Sequence, residues 1–265
     1  MILRLLLLTL PLLAALQSCS RVEGCNDPIA KNYDAEADKN CCCEYYKLRF
    51  NLAHQVNDST SLAYFTRYAD ALGDSFELKF ASLLISEIAL IDASGNAFFI
   101  EDTVLVPLIN GNSNWFVDDF IAIRPGTFIN EVGNFTQFGS YNKIRFLVGL
   151  QGEAVNADGL DISDTQFPLS ASHSAAHYNQ NSNSYWFSRW EIIRPTLSDT
   201  LRFGVRDTVW VELNYTAAVV DGANTDIPIA VNYLDFFNNI SFMNDDSTSV
   251  VQKIKTNTRN AFSIQ

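Results

Sequence analysis

From Tyr46 onward the chain repeats a period of two. Leu48, Phe50 and Leu52 alternate with Lys47, Arg49 and Asn51. Phe76, Leu78 and Phe80 repeat the pattern, as do Ile144, Phe146, Val148 and Leu150. Successive side chains of a strand point to opposite faces, so this spacing predicts strands with one face buried and one in water. Helical spacing is confined to the end, at Tyr233 to Phe237 and Val250 to Ile254, where Asp245, Asp246 and Ser247 offer N-cap oxygens. Many short strands and few helices predict an all-β fold: a Greek-key β-sandwich with a few short helices.

Turn chemistry divides these strands. Ser94-Gly95-Asn96 separates the apolar stretch Leu83 to Ile91 from Phe98-Phe99-Ile100, a hairpin signal. Val104 to Ile109 and Phe120 to Ile123 are further strands, and Arg124-Pro125-Gly126 is a turn in which Pro sets φ. Tyr185 to Ile193 returns to strand composition. Leu201, Phe203 and Val205, then Val209, Val211, Leu213 and Tyr215, predict a hairpin across Arg206-Asp207. Between them Gln151 to Ser184 is long and polar, the kind of loop that is functional or mobile.

The N-terminus is of another kind. Arg4 precedes an apolar run from Leu5 to Leu16, too short to span a bilayer, and residues 1–18 read as a signal peptide. The run ends Leu16-Gln17-Ser18-Cys19, which resembles the bacterial lipobox. That resemblance implies a diacylglycerol on the Cys19 sulfur and acyl chains, palmitate among them, that anchor the protein to a membrane. Ser20 in place of Asp implies sorting to the outer membrane or cell surface. Residues 19–44 then form a lipidated spacer and 45–265 the sandwich domain.

Cysteine placement fits an oxidising compartment. Beyond Cys19 there are Cys25, Cys41, Cys42 and Cys43, and none follows. Adjacent side chains point apart, so Cys25 is expected to pair with one of the other three, stapling the small N-terminal segment. Gly24-Cys25-Asn26-Asp27-Pro28-Ile29-Ala30-Lys31-Asn32-Tyr33 resembles a short cysteine motif of bacterial surface and secreted proteins. Two readings stand for this segment: a stapled spacer, or a calcium loop using the oxygens of Asp27, Asn32, Asp34 and Asp38.

The formal charge of −12 and the lack of any basic cluster exclude nucleic acid as a partner. No Gly-x-Ser-x-Gly elbow, phosphate loop or dinucleotide fingerprint is present, and no enzymatic activity is expected. The pairs Asp118-Asp119, Asp161 with Asp164, and Asp245-Asp246 read as solvated carboxylates or helix caps. Trp115, Trp186, Trp190 and Trp210 read as core, with stacking on sugars the alternative. The three histidines are His54, His173 and His177. The last two would share a helical face, but their surroundings read as loop, which leaves solvated polar residues or metal ligands.

Taken in order, these blocks resemble the MbnP-like family of copper-binding-type bacterial proteins, over Tyr46 to Gln265. The resemblance is carried by His54 on the first strand, Gly73-x-x-Phe76-x-Leu78, Leu84 to Leu90 before Gly95, Pro125-Gly126-x-Phe128, Ile144-x-Phe146-x-Val148-Gly149, and the closing Asn257-x-x-Asn260-Ala261-Phe262. It implies a β-sandwich and a copper ligand at His54, with His173 or His177 completing the site. The family's Trp-x-Trp positions hold Asn179 and Asn181, and its later His-Gly block has no counterpart in Leu201 to Tyr215. The expected protein is a membrane-anchored surface lipoprotein, a binding module for copper with a redox or surface protein as partner. The alternative is an adhesive module engaging glycan or protein through its loops.

Overall fold

The computed structural model describes residues 22–57, 60–173 and 176–265. The expected signal peptide and Cys19 lie outside the described residues. The chain divides into two units, Met1–Tyr45 and Tyr46–Gln265.

In the N-terminal unit, the two-residue strands Glu23–Gly24 and Lys39–Asn40 run parallel. Cys25 is bonded to Cys43, which leaves Cys41 and Cys42 as thiols. The link spans 18 residues and constrains the unfolded segment by roughly 3 kcal/mol on chain-entropy grounds. The oxygens offered for calcium serve the fold instead. Asp27 Oδ1 accepts from Ile29 N–H and Asp34 Oδ1 from Glu36 N–H, as Asx turns; Asn32 Oδ1 accepts from Glu44 N–H. Asp27 Oδ2 takes the Tyr45 hydroxyl, and Asp38 Oδ2 accepts from Val22 N–H.

The second unit is all-β with a single α-helix among its described residues. One sheet follows the order Asp199–Val205, Ser188–Arg194, Ser75–Ile91, Gly139–Val148, Val209–Val219. The other runs Ile129–Asn134, Lys47–Asn57, Thr225–Asn232, Phe262–Ile264. Thr225–Asn232 lies parallel to Lys47–Asn57. A parallel pair needs a long crossover, and here nearly the whole domain supplies it. The buried face of Lys47–Asn57 alternates as the sequence predicts. Its Phe50 meets Phe146 of the other sheet, and Trp190, Tyr233 and Phe236 complete the aromatic centre.

The long central strand departs from simple alternation. Its inward residues are Phe76, Leu78, then Ala81, Leu83, Ile85, then Ile88 and Leu90. Two register shifts, opposite Glu191/Ile192 and opposite Arg145/Leu147, each insert an extra residue and reverse the phase. Phe80, expected inward, is therefore off the core face. At the second shift Glu87 takes φ +56, a left-handed conformation uncommon for a residue with Cβ.

One further expectation is corrected. Leu201–Val205 and Val209–Tyr215 make no hairpin, because their strands lie at opposite ends of the sheet order. Asp199–Val205 pairs instead with Ser188–Arg194. The long segment from Gln151 to Ser184 is anchored by Ala154, Ala157, Phe167, Leu169 and Tyr178, which pack with Leu150, Tyr185, Phe187, Leu84, Val106 and Phe120. Near the end, Asp235–Phe237 forms a 3-10 turn and Ser247–Asn257 the helix. Asp246 caps that helix by accepting from Ser249 N–H at 2.8 Å, and Val250 and Ile254 bury its apolar face.

Candidate functional site

His54 lies near the C-terminal end of the first long strand and is 7% exposed. Both ring nitrogens are engaged: Nε2 with the Thr127 carbonyl at 2.8 Å and Nδ1 with the Tyr233 hydroxyl at 2.9 Å. A carbonyl only accepts, so Nε2 carries the proton and Nδ1 accepts from Tyr233. Burial holds the imidazole below its ordinary pKa, against the opposing pull of the Thr127 carbonyl. The neutral ring therefore ties the Thr127 turn to the second sheet.

His177 is 0% exposed. Its Nδ1 faces the Trp186 carbonyl at 2.7 Å, so Nδ1 is protonated and Nε2 accepts from the Ser82 hydroxyl at 2.6 Å. Ser82 in turn accepts from Arg124 Nε–H at 3.2 Å, and Arg124 Nη2–H donates to the His173 carbonyl at 3.1 Å. Burial foremost, then the Arg124 and Arg189 charges, pushes the His177 pKa down to about 4, with the Trp186 carbonyl opposing. A fully buried, neutral histidine thus positions the Arg124 guanidinium.

Arg124 lines a cleft of about 480 Å³ whose wall also holds Lys47, Asp102, Asp118, Asp164 and His173, with Phe120 and Phe167 as apolar lining. Asp118 is held above the ordinary carboxylate range, by burial first and then by the Asp102 and Asp164 charges; Lys47 opposes them. Lys47 Nζ lies 3.8 Å from Asp102. Asp102 also accepts from the backbone and side-chain N–H groups of Asn134. Gly133 makes this approach possible. At φ +154 it marks a bulge, and a Cβ there would lie 2.3 Å from Ile100 Cδ1 and 2.8 Å from Asp102 Oδ2. Asn130 Nδ2, also at the cleft, is buried without a hydrogen-bond partner among the described residues.

The three sequence-predicted histidines are therefore not gathered. His173 lines the cleft, its pKa lowered by burial and Arg124 and opposed by Asp164. His177 lies behind Arg124, and His54 borders a separate hollow of about 550 Å³ with Tyr64 and Phe128. Among the described residues no three His, Cys, Asp or Glu side chains form a group able to hold a metal ion. Two imidazoles with both nitrogens occupied do not fit a preformed copper site. The same observation applies to the calcium reading of the N-terminal unit.

The adjacent carboxylates Asp118 and Asp119 are not a solvated pair. Asp118 faces the cleft, while Asp119 is buried and accepts from Ile88 N–H at 2.5 Å, holding the bulge at Glu87. Burial, reinforced by Glu87, raises its carboxyl to about 7 although backbone N–H groups oppose the shift. Lys47, Asp102 and Arg124 carry no local sequence signal as site residues, because they converge from a strand end, a connection between strands and a turn. Of the tryptophans, Trp190 is core. Trp210 stacks with Arg145, and Trp186 with Arg189 and Arg206. Trp115 stands 64% exposed opposite the exposed Leu105 on the hairpin Thr103–Pro107/Ser113–Val117.

The sequence profile of the MbnP family matches residues 45–253. Among solved structures, MbnP from Methylosinus trichosporium is similar at 14% identity and a TM-score of 0.42, covering 78% of this chain and 86% of that one. No curated protein sequence matches.

Proposed function

The chain belongs to the MbnP family, and on that premise we propose that it is a membrane-anchored surface lipoprotein whose sandwich is a binding module for a small zwitterionic solute. The observation that carries this reading is the cleft. Arg124 and the unpartnered Asn130 amide offer donors to a carboxylate; Asp118 and Asp164 offer acceptors to an ammonium group. Apolar Phe120 and Phe167 lower the local dielectric, which strengthens both contacts. The anchor rests on the Leu16-Gln17-Ser18-Cys19 sequence.

Copper is the cargo the family resemblance implies. In this chain His54 and His177 serve the fold, and only His173 brings an imidazole to the cleft, beside Asp164. A copper role at His54 would require breaking a buried hydrogen bond, which weakens that reading. The test is calorimetric titration of the detergent-solubilised protein with an α-amino acid panel and, separately, with Cu(II). Saturable amino-acid binding abolished by Asp118→Asn and Arg124→Gln supports the solute reading. Tight Cu(II) binding abolished by His54→Ala, with no solute bound, refutes it.

A second reading is favoured by one observation: the cross-strand pair Leu105 and Trp115 presents apolar and aromatic surface on an outlying hairpin. Such a pair suits stacking on a glycan or seating in a partner protein. Trp115→Ala would weaken adhesion to glycan surfaces under that reading, and leave solute binding in the cleft unchanged.

A further inference from the structure

The 3-10 turn Thr258–Ala261 continues the helix Ser247–Asn257 and packs beside the strand Val209–Val219. A hollow of about 580 Å³ opens there, apart from the cleft at Arg124. Gln252, Lys255, Thr256 and Arg259 recur at three- and four-residue spacing, which sets them on one face, and that face lines the hollow together with Asn260. Trp210 lines it from the strand and is 36% exposed. The Arg145 guanidinium lies over its ring, 5.1 Å from the centroid, and holds the indole in place. Arg259 Nε–H donates to the Trp210 carbonyl at 3.2 Å, which fixes the Arg259 side chain beside the ring. No ion pair among the described residues includes Arg145 or Arg259. Arg145 Nε is moreover buried without a hydrogen-bond partner. Two guanidiniums uncompensated by carboxylates thus flank one partly exposed indole, in a chain of formal charge −12.

We propose that this hollow binds a uronate, a pyranose sugar carrying one carboxylate. A pyranose offers an apolar face of C–H groups that stacks on an indole, and a ring of hydroxyls that both donate and accept. The Gln252 and Asn260 amides and the Thr256 hydroxyl supply partners of both kinds. Thr256 Oγ1 donates its own proton to the Gln252 carbonyl at 3.0 Å, so toward a ligand it accepts. The carboxylate pairs with Arg259, whose planar fork forms two parallel N–H bonds that a lysine cannot match. Lys255 is already bonded to Asp207 at 2.8 Å, which leaves Arg259 as the group that selects the acid. A neutral sugar would forgo that pair, and a densely charged polyanion would meet the acidic surface elsewhere on the chain. The uronate is either a free sugar or one unit of an acidic polysaccharide. The site is independent of the Arg124 cleft and of the Leu105–Trp115 pair.

The test uses the full exported chain, solubilised in detergent and titrated calorimetrically with short oligomers of galacturonate and of mannuronate, with free galacturonic and mannuronic acids, with a neutral galactose oligomer and with dextran sulfate. At least one uronate should bind saturably, and about tenfold or more tighter than the neutral oligomer. Binding of the free acid identifies the single sugar as the ligand; binding of the oligomer alone identifies the polysaccharide. Affinity should fall about tenfold or more in Trp210→Ala and in Arg259→Gln. It should survive in Trp210→Phe, which keeps an aromatic face, and in Arg67→Gln, which removes an exposed arginine paired with Glu77 elsewhere. Thermal unfolding of each variant verifies that the domain has folded, and Arg259, on the surface, is expected to leave the midpoint unchanged. Three results would overturn the proposal: no uronate bound, the neutral oligomer or dextran sulfate bound as tightly as the uronates, or full affinity retained in Arg259→Gln.

Discussion

Replacing His54 by alanine separates a structural histidine from a metal ligand. In the native state the Tyr233 hydroxyl, on a residue 1% exposed, donates to His54 Nδ1, and His54 Nε2–H donates to Thr127. The ring also packs against Tyr233 and Phe128, with centroids 5.8 and 6.2 Å away. His54→Ala leaves the Tyr233 hydroxyl buried without a partner, at a cost of about 1–3 kcal/mol. Loss of the Thr127 bond adds roughly 1 kcal/mol, and the vacated ring volume about 1–2 kcal/mol more. Together these predict a loss of about 3–6 kcal/mol, whereas a solvated surface ligand would cost under about 0.5 kcal/mol. Urea denaturation followed by tryptophan fluorescence reads the difference as a lowered midpoint at constant slope. A loss below about 1 kcal/mol, accompanied by loss of copper binding, would refute the structural assignment.

The pH dependence of stability carries two opposed contributions. His177 is held at about 4 in the folded protein, so its contribution is complete above the unfolded value near 6.5 and declines as pH falls toward 4, by roughly 3 kcal/mol. Asp119, raised to about 7, works the other way: its contribution is complete below the unfolded value near 3.9 and is lost as pH rises to 7. Asp119→Asn keeps an acceptor for Ile88 N–H and removes the second slope. Urea midpoints of that variant should climb between pH 4 and 6.5 more steeply than those of the native protein; parallel profiles would show that Asp119 does not titrate in this range. Gly133→Ala forces Cβ against Asp102 and Ile100, and should destabilise the domain by about 1–3 kcal/mol in thermal unfolding while weakening solute binding in the cleft. Loss of Cys25 by Cys25→Ser should raise the protease sensitivity of residues 22–45 and leave the unfolding midpoint of the sandwich within about 0.5 kcal/mol, since no cysteine follows Cys43.

The sequence by itself determined the elements whose cause is local. Alternation at Leu48, Phe50 and Leu52 fixed the buried face of the first long strand, because strand side chains alternate whatever the partner. The hairpin at Ser94-Gly95-Asn96 was legible because Gly95 takes positive φ and Asp92 accepts from the backbone of Ser94 and Asn96. The Asp246 cap and the pairing of Cys25 within the cysteine cluster were legible on the same grounds. Tertiary structure decided the rest. Bulges in the central strand turned Phe80 off the core and brought Ala81 in, because phase depends on how many residues the neighbouring strand opposes. Sheet order separated Asp199–Val205 from Val209–Val219, a choice that alternation alone cannot express. The histidines were visible as residues but not as roles: whether an imidazole nitrogen faces metal, solvent or a buried hydroxyl depends on partners such as Tyr233 and Ser82, which stand 179 and 95 residues away in the chain. The cleft was invisible for the same reason, since Lys47, Asp102, Asp118, Arg124 and Asp164 share a wall only once strands and loop have packed.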